Sequence, residues 1–270
     1  MISIIKELFY RRDLIRELVV KDLKIRYRRP ALGFFWAFLS PFFTAVIFYV
    51  IFSLVLKAQI FEAPFILYLM TAVFPWRFFQ DSLMASTTSL VDNRNLIKES
   101  AFPHYLIPLS IVVANFVIFL PSLLIVLIVA AFALKGAPLC LLFLPLVLAS
   151  HFFITIGLSL LAALVYVKWR DIKYILELIL MLLFYLTPVF YSVNLIKQVF
   201  PAALFRIYLY NPLVGVLQGY RICLLKGFTS SADYGMVFLA MPIVFAFLAL
   251  AAGIYYYRRS QKNINDYLFY

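Results

Sequence analysis

Six long apolar stretches dominate the sequence and restrict the folds that it can adopt. They lie near residues 33–56, 64–89, 105–134, 138–167, 174–193 and 234–257. A helix of about 20 residues crosses the ~30 Å hydrocarbon core of a bilayer, so each stretch is long enough to span it. Hydrophobic residues make up 66% of the 270 residues and charged residues only 13%, which leaves too little polar surface to cover a soluble globule. The sequence therefore predicts an all-α integral membrane protein with six transmembrane helices.

A seventh apolar stretch, 201–225, is interrupted by polar and helix-breaking residues, so its topology must be decided by charge. Loops rich in Lys and Arg are retained in the cytoplasm. With six spans and the N-terminus inside, 17 of the 24 Lys and Arg lie on inside segments and six lie outside. If 201–225 also crossed, Arg258, Arg259 and Lys262 would lie outside. We therefore predict that both termini are cytoplasmic.

The same stretch is predicted to form a re-entrant hairpin on the outer side. Asn211-Pro212 and two glycines are expected to break it into short helices, and irregular backbone at membrane depth is tolerated where protein or a water-filled cavity covers it. A broken segment on the exit side is typical of a gate. The candidate gate residues are Asn211, Pro212, Gly215, Gly219 and Arg221.

Residues 1–30 precede the first span and are strongly basic. They hold nine of the 24 Lys and Arg, alternating with Leu, Ile and Val near helical spacing, and they contain no continuous apolar core of a signal peptide. This pattern predicts an amphipathic helix lying in the membrane interface; an ordinary charged cytoplasmic helix is the alternative. Because the cations flank apolar stretches, anionic lipid is the expected partner rather than nucleic acid.

Catalytic and metal-binding motifs are missing from the sequence. It contains no GxxxxGK[ST], HExxH or GxSxG, only two histidines, and two cysteines, Cys140 and Cys223, without CxxC spacing. We expect no catalytic residue, no metal and no cofactor in this chain. The cysteines are predicted to be packing residues, although a disulfide would form if both faced the oxidising side.

Arg77, Asp81 and His151 fall inside apolar stretches, where polar groups are costly and usually face the bundle interior. Arg77 and Asp81 are four residues apart and can pair on one helix face. They would line a polar path, pin two helices together, or form a purely structural ion pair. His151 would hydrogen-bond to a neighbouring helix or contact substrate.

Aromatic residues and two loops complete the candidates. Aromatic residues make up 19% of the chain, which suits membrane-interface anchors and also stacking on sugar rings. The inner loop 91–108 mixes charges with apolar residues, as a docking surface for a cytoplasmic partner or a plain interfacial turn would. The inner loop 168–177 is interpreted as a solvated helix boundary.

Several segments, in order, resemble one family. They are "VKDLKIRYRRPALGFFWAFLSP" (20–41), "FPWRFFQDSLMASTTSLVDNRNLIKESAFPHYLIPLS" (74–110), "VKWRDIKYILELIL" (167–180), "TPVFYS" (187–192) and "YNPLVGVLQGYR" (210–221). Together they resemble the type-2 ABC exporter permeases that serve bacterial surface polysaccharides: O-antigen, capsule and wall teichoic acid. Each segment alone is weakly informative, but the ordered set covers nearly the whole chain.

This resemblance implies one permease domain over residues 1–270, with an interface helix (1–30), spans one to five (33–193), external gate helices (194–226) and span six (234–257). It implies a homodimer that lines the pore, works with two copies of a cytoplasmic ATPase that binds ATP and Mg, and moves a lipid-linked polysaccharide across the bacterial inner membrane. The interface-helix residues would be Asp22, Leu23, Arg26, Tyr27 and Arg28. The coupling helix that enters the ATPase would use Asn93, Arg94, Asn95, Leu96, Ile97, Lys98, Glu99, Phe102 and Pro103.

Other functions remain open on the sequence alone. A permease of the same superfamily could export a drug or a lipid instead. A membrane glycosyltransferase would need acidic loop residues, and the candidates Asp92, Glu99, Asp171, Asp233 and Asp266 are scattered among several loops. A purely structural membrane protein would leave the broken segment 201–225 unexplained.

Overall fold

The structure is a computed structural model that describes residues 10–27, 35–55, 64–99, 102–136, 138–226, 228 and 234–269. Its helices are α1 (Arg12–Tyr27), α2 (Phe35–Tyr49), α3 (Phe65–Asp92), α4 (Arg94–Glu99), α5 (Leu106–Ala133), α6 (Leu144–Lys168), α7 (Ile172–Leu186), α8 (Val193–Val199), α9 (Ala202–Leu209), α10 (Pro212–Leu224) and α11 (Gly235–Phe269). A π-helical segment, Val50–Val55, extends α2, and a 3-10 turn, Leu139–Phe143, precedes α6. The described residues contain no β-strand, so the prediction of an all-α protein is confirmed.

Three helical segments are long and apolar enough to cross a membrane: Leu106–Ala133, Leu139–Lys168 and Gly235–Ser260. They correspond to predicted spans three, four and six. Many of their side chains are exposed apolar residues, which a lipid environment would cover. The chain is therefore a multi-pass membrane protein, and the assignment of its other helices depends on packing rather than on hydropathy.

The most buried long helix is α3, which lies at the centre of the bundle. It is 28 residues long, about 42 Å at 1.5 Å per residue, and packs against α2, α5, α6, α7 and α10. Some of its buried hydroxyls donate to carbonyls of the same helix: the Thr71 hydroxyl donates to the Tyr68 carbonyl, and the Thr87 hydroxyl to the Leu83 carbonyl. Because other helices cover α3, this helix can be long enough to span a membrane and still contain polar side chains.

The closest helix crossing joins α6 to α11 through two glycines. A Cβ atom at Gly157 would clash with the backbone at Ala249, and one at Gly253 would lie 2.7 Å from the Gly157 carbonyl oxygen. Small residues let helices approach this closely where lipid gives no hydrophobic drive for association. The pairing holds the last helix against the core.

Predicted span five, 174–193, is wrong at its C-terminal end. Helix α7 ends at Leu186 and has 15 residues, about 22 Å, which is short of the hydrocarbon thickness. Thr187 adopts an extended backbone (φ −94°, ψ 151°) because the following Pro188 disfavours the helical region for it. Residues 187–192 form an irregular turn instead.

The broken segment is confirmed as short helices, but the glycines do not break it. The helices α9 and α10 meet at Tyr210 and Asn211, and α10 runs uninterrupted through Gly215 and Gly219. A Cβ at Gly215 would lie 2.7 Å from Pro242 Cγ, and one at Gly219 would lie 3.1 Å from Val147 Cγ2. The glycines therefore provide close packing of α10 against α11 and α6.

We predict that Gly157→Ala lowers the thermal stability of the purified protein in detergent. The added methyl would improve helix propensity, but the overpacking against Ala249 costs roughly 1–3 kcal/mol and more where backbone must move. Gly235→Ala is the matched control, because nothing lies within 4 Å of a Cβ there. Equal melting temperatures for the two variants would contradict the crossing.

Candidate functional site

The predicted coupling segment forms an exposed short helix with a buried base. Asn93 ends α3, and its side-chain amide donates to the Ser89 carbonyl at 2.9 Å. The α4 residues that face solvent are Arg94, Asn95, Lys98 and Glu99, whereas Ile97 is buried and Leu96 is half-buried against the core. The helix is therefore held rigidly while its polar side chains remain free to meet a partner.

The end of this segment is anchored by an aromatic pair. Phe102 is buried, and its ring lies edge-to-face with the His104 ring at 6.4 Å, while Pro103 is half-buried between them. Burial lowers the pKa of His104 below its ordinary value, because the charged imidazole would lose solvation. His104 is therefore neutral at pH 7, and the cations of this region are those on the exposed side of α4.

Helix α1 makes two polar contacts, one to the coupling segment and one to α5. Lys21 Nζ donates to Asn93 Oδ1 at 2.6 Å, and the Ser110 hydroxyl donates to Asp22 Oδ2 at 3.1 Å. Of the apolar residues on α1 itself, Leu18 and Val19 are buried and Leu23 is half-buried. Displacing α4 or the end of α3 would therefore displace α1.

The remaining predicted interface residues are only partly described. Arg26 and Tyr27 complete the backbone of α1, and their side chains lie outside the described residues. Arg28 and residues 1–9 and 28–30 of the predicted interface helix also lie outside the described part of the chain.

The gate candidates lie mainly on α10, which is a buried element. Asn211 caps this helix by accepting from the Leu213 backbone N–H at 3.0 Å, and Pro212 occupies its first position, where its missing N–H is harmless. Residues 213–221 are all buried. By contrast, α8 and α9 expose most of their side chains. The segment therefore consists of a buried helix, α10, which we call the wedge, and an exposed outer part formed by α8 and α9.

Arg221 fixes the wedge. Its side chain is fully buried, its Nη2 donates to the Val189 carbonyl at 2.8 Å, and its guanidinium carbon lies 3.5 Å from the centroid of the Tyr68 ring. The Tyr68 hydroxyl in turn donates to the Tyr191 carbonyl at 2.7 Å. One cation–π contact and two hydrogen bonds thus join α10, α3 and the turn after α7.

No carboxylate pairs with this arginine among the described residues, and its Nε and Nη1 have no hydrogen-bond partner there. The charge is stabilised by the ring quadrupole and one carbonyl dipole rather than by an ion pair. A planar guanidinium can use both at once, since it stacks with its face and donates from its edge.

The pair Arg77 and Asp81 lies on α3, and Arg77 also reaches α2. Arg77 Nε is 3.7 Å from Asp81 Oδ2, both side chains are more than 40% exposed, and Arg77 Nη2 donates to Ser40 Oγ at 3.3 Å. An ion pair at this exposure contributes little stability by itself. The Arg77–Asp81 pair links α3 to α2 through Ser40. The functional role of the pair remains a prediction.

The aromatic residues near α7 pack largely against one another. Phe190 lies 5.5 Å from Phe48 and 5.1 Å from Phe52 between ring centroids, and Trp76 lies 5.5 Å from Phe184. These contacts join α2, α3 and α7. Stacking on sugar rings therefore remains a prediction for the exposed aromatics of α7.

His151 and the cysteines occupy packing positions. His151 Nδ1 lies 3.1 Å from the Tyr220 hydroxyl, a buried link between α6 and α10. Cys140 and Cys223 are free thiols. Among the described residues no group of His, Cys, Asp and Glu side chains could hold a metal ion.

Comparison with known proteins decides the family. The model of the ABC-2 type transporter family matches residues 13–225, more than three quarters of the chain. The chain belongs to the ABC-2 type transporter family. This membership confirms the resemblance seen in the sequence; it identifies a transport subunit rather than an enzyme and implies an ABC ATPase partner.

Three relatives extend this family assignment, and each is called O-antigen export system permease protein RfbA. Two from Klebsiella pneumoniae are 31% identical over 216 residues, covering 80% of this ABC-2 chain and 81% of the relative, and 30% identical over 240 residues, covering 88% and 90%. One from Myxococcus xanthus is 28% identical over 261 residues, covering 97% and 98%. These alignments cover far more of the chain than any single motif.

We predict that Arg221→Lys destabilises this ABC-2 chain by about 2–4 kcal/mol, because an ammonium cannot stack on Tyr68 and reach the Val189 carbonyl together. The unfolding midpoint of the purified protein measures the loss. Arg206→Lys is the matched control, since Arg206 is exposed on α9. An unchanged midpoint for the Arg221 variant would refute the role of the stack.

Proposed function

We propose that this chain is the membrane subunit of an ATP-driven exporter that moves a lipid-linked polysaccharide of the O-antigen type across the bacterial inner membrane. The observation that carries the proposal is the alignment of O-antigen export permeases over 80–97% of the chain. An alignment of this length includes the coupling segment and the gate segment together. Capsule and teichoic acid are polymers of the same transport class.

The proposed topology has six spans with both termini in the cytoplasm. Besides the three long apolar helices, α2 with its π-helical extension, α3 and α7 would cross. The basic segments then lie with the ATPase, and α8, α9 and α10 form the external mouth. The short α7 would cross with the help of the turn that follows it.

The proposed assembly is a homodimer with two ATPase subunits. Helix α7 supports a second copy, because Leu180 is its only buried residue while Tyr174, Leu178, Leu182 and Tyr185 are exposed. A contiguous aromatic and aliphatic face of this kind suits either an interface or a pore wall. Both would be formed where two copies meet, and ATP and Mg would be bound by the partner ATPase.

Helix α3 supports a direct mechanical link between the ATPase and the exit. Asn93 directly follows its last turn, and Tyr68 lies in its first turn beneath Arg221. The 25 intervening steps span about 37 Å of continuous helix at 1.5 Å per residue. A push on α4 would tilt α3 and carry α10 with it.

The outer gate would then open by movement of α8 and α9 relative to α10. These two helices expose most side chains, and they are bounded by the turns at residues 187–192 and 210–211. Arg77 and Asp81 would keep α2 attached to α3 during the tilt. The buried position of α10 argues against its movement as an independent flap.

We predict that the double variant Arg94→Ala/Lys98→Ala weakens binding of the ATPase subunit by about tenfold, because it removes two exposed cations from the docking helix. The measurement is the dissociation constant of purified permease and ATPase. The control is Lys197→Ala/Arg206→Ala, which removes two exposed cations from α8 and α9. Equal affinities for both variants would locate docking elsewhere.

The proposed function is tested by deleting the chain from its cell and following the surface polymer. We expect surface polysaccharide to disappear while lipid-linked polymer accumulates inside, and the full-length chain to restore export. The purified chain alone should hydrolyse no ATP, and hydrolysis should appear with its ATPase. Retention of the surface polymer together with loss of drug or lipid efflux would contradict the proposal.

A further inference from the structure

A crevice of about 540 Å³ lies between α1, the end of α3 and the start of α5. Its polar end is formed by Lys21, Asp22, Asp92 and Asn93, and its deeper wall by Ala85, Ile111, Ala114 and Ile118. This volume is within the range of small-molecule sites. It is separate from α7 and from the gate segment, and although its polar end includes the Lys21–Asn93 contact that joins α1 to the coupling segment, the transport mechanism proposed above assigns no ligand to it.

The α3 wall carries a polarity gradient. Its lining residues run from Asn93 and Asp92 through Ser89 to Ala85, and the seven steps from Asp92 to Ala85 cover about 10 Å of helix. The α5 lining residues, Ile111, Ala114 and Ile118, are all apolar and form the deeper wall. A ligand matching this gradient has a charged head and an apolar chain.

Exposed apolar side chains lie beside the crevice. Val117 and Leu120, neighbours of Ile118 on α5, are more than a third exposed, and Ile25 at the rim is 66% exposed. Exposed apolar side chains beside a crevice with a polar end suit the boundary between head groups and acyl chains. The occupant is therefore a membrane lipid rather than a soluble molecule.

The charges select the head group. Lys21 donates one of its three N–H groups to Asn93, which leaves donors for a phosphate. Asp92 is exposed and accepts from the Thr88 hydroxyl at 2.6 Å, and Asp22 lies one residue from Lys21. Among the lining residues that the structure describes, Lys21 and Asp92 together favour a head group that carries both a phosphate and an ammonium.

We propose that this crevice binds a phospholipid of the phosphatidylethanolamine class, with its phosphate at Lys21 and its ammonium at Asp92. A primary ammonium donates hydrogen bonds to a carboxylate, which the quaternary ammonium of phosphatidylcholine cannot do. Phosphatidylglycerol carries no ammonium to pair with Asp92. The lipid would fill the space between α1 and the coupling end of α3, and it does not depend on which polymer is exported.

The test is native mass spectrometry of the delipidated full-length protein, titrated with phosphatidylethanolamine, phosphatidylcholine and phosphatidylglycerol of identical acyl chains. We expect phosphatidylethanolamine to bind about tenfold more tightly than phosphatidylglycerol, the difference that one charge-assisted hydrogen bond provides. Equal binding of the three lipids, or a preference for phosphatidylglycerol, would overturn the proposal.

Two variants locate the site. Asp92→Asn should abolish the preference for phosphatidylethanolamine, whereas Asp171→Asn, an equivalent change at an exposed carboxylate outside the crevice, should retain it. Ala85→Phe should fill the apolar end and weaken all three lipids. A preference that survives in Asp92→Asn would overturn the proposal whether or not Ala85→Phe folds. Loss of binding with intact polymer export would leave the proposed function standing.

Discussion

The burial of Arg221 against Tyr68 is the contact on which the arrangement of this membrane protein depends. A cation at full burial is costly unless its charge is compensated, and here the compensation comes from two elements other than its own helix. The Tyr68 ring belongs to α3, the carbonyl of Val189 to the turn after α7, and the guanidinium to α10. If any one of these elements moved alone, the buried charge of Arg221 would lose one of its partners.

The opposite end of α3 is fastened in a similar way but with weaker and more exposed contacts. Lys21 and Asn93 join α1 to the start of the coupling helix, and both are half-buried. In the proposed mechanism, a displacement of α4 would be transmitted along α3, and α10 would move with the Arg221 end of that helix.

Much of this fold follows from the sequence, and the failures have specific causes. Apolar length predicts α5, α6 and α11 because lipid faces them directly. It overestimates α7, since Pro188 ends the helix where hydropathy continues. The sequence also predicts that Gly215 and Gly219 break the helix. In the structure these glycines allow close helix packing, which depends on Pro242 and Val147 from distant segments.

The site shows the same division between local and long-range information. The exposed residues of α4 and the cap at Asn211 depend on neighbours in the chain, so the sequence indicates them. The partners of Arg221 lie 32 and 153 residues away, and Lys21 lies 72 residues from Asn93.

From the sequence, Arg221 is visible only as a cation in an apolar stretch. In a chain with 12 acidic residues against 24 Lys and Arg, many cations must do without a carboxylate, and aromatic faces and carbonyls are the groups that an apolar bundle can supply instead. The tyrosines around Arg221 and the scarcity of acidic residues are therefore linked, since an aromatic face makes the absence of a carboxylate partner tolerable at a buried arginine.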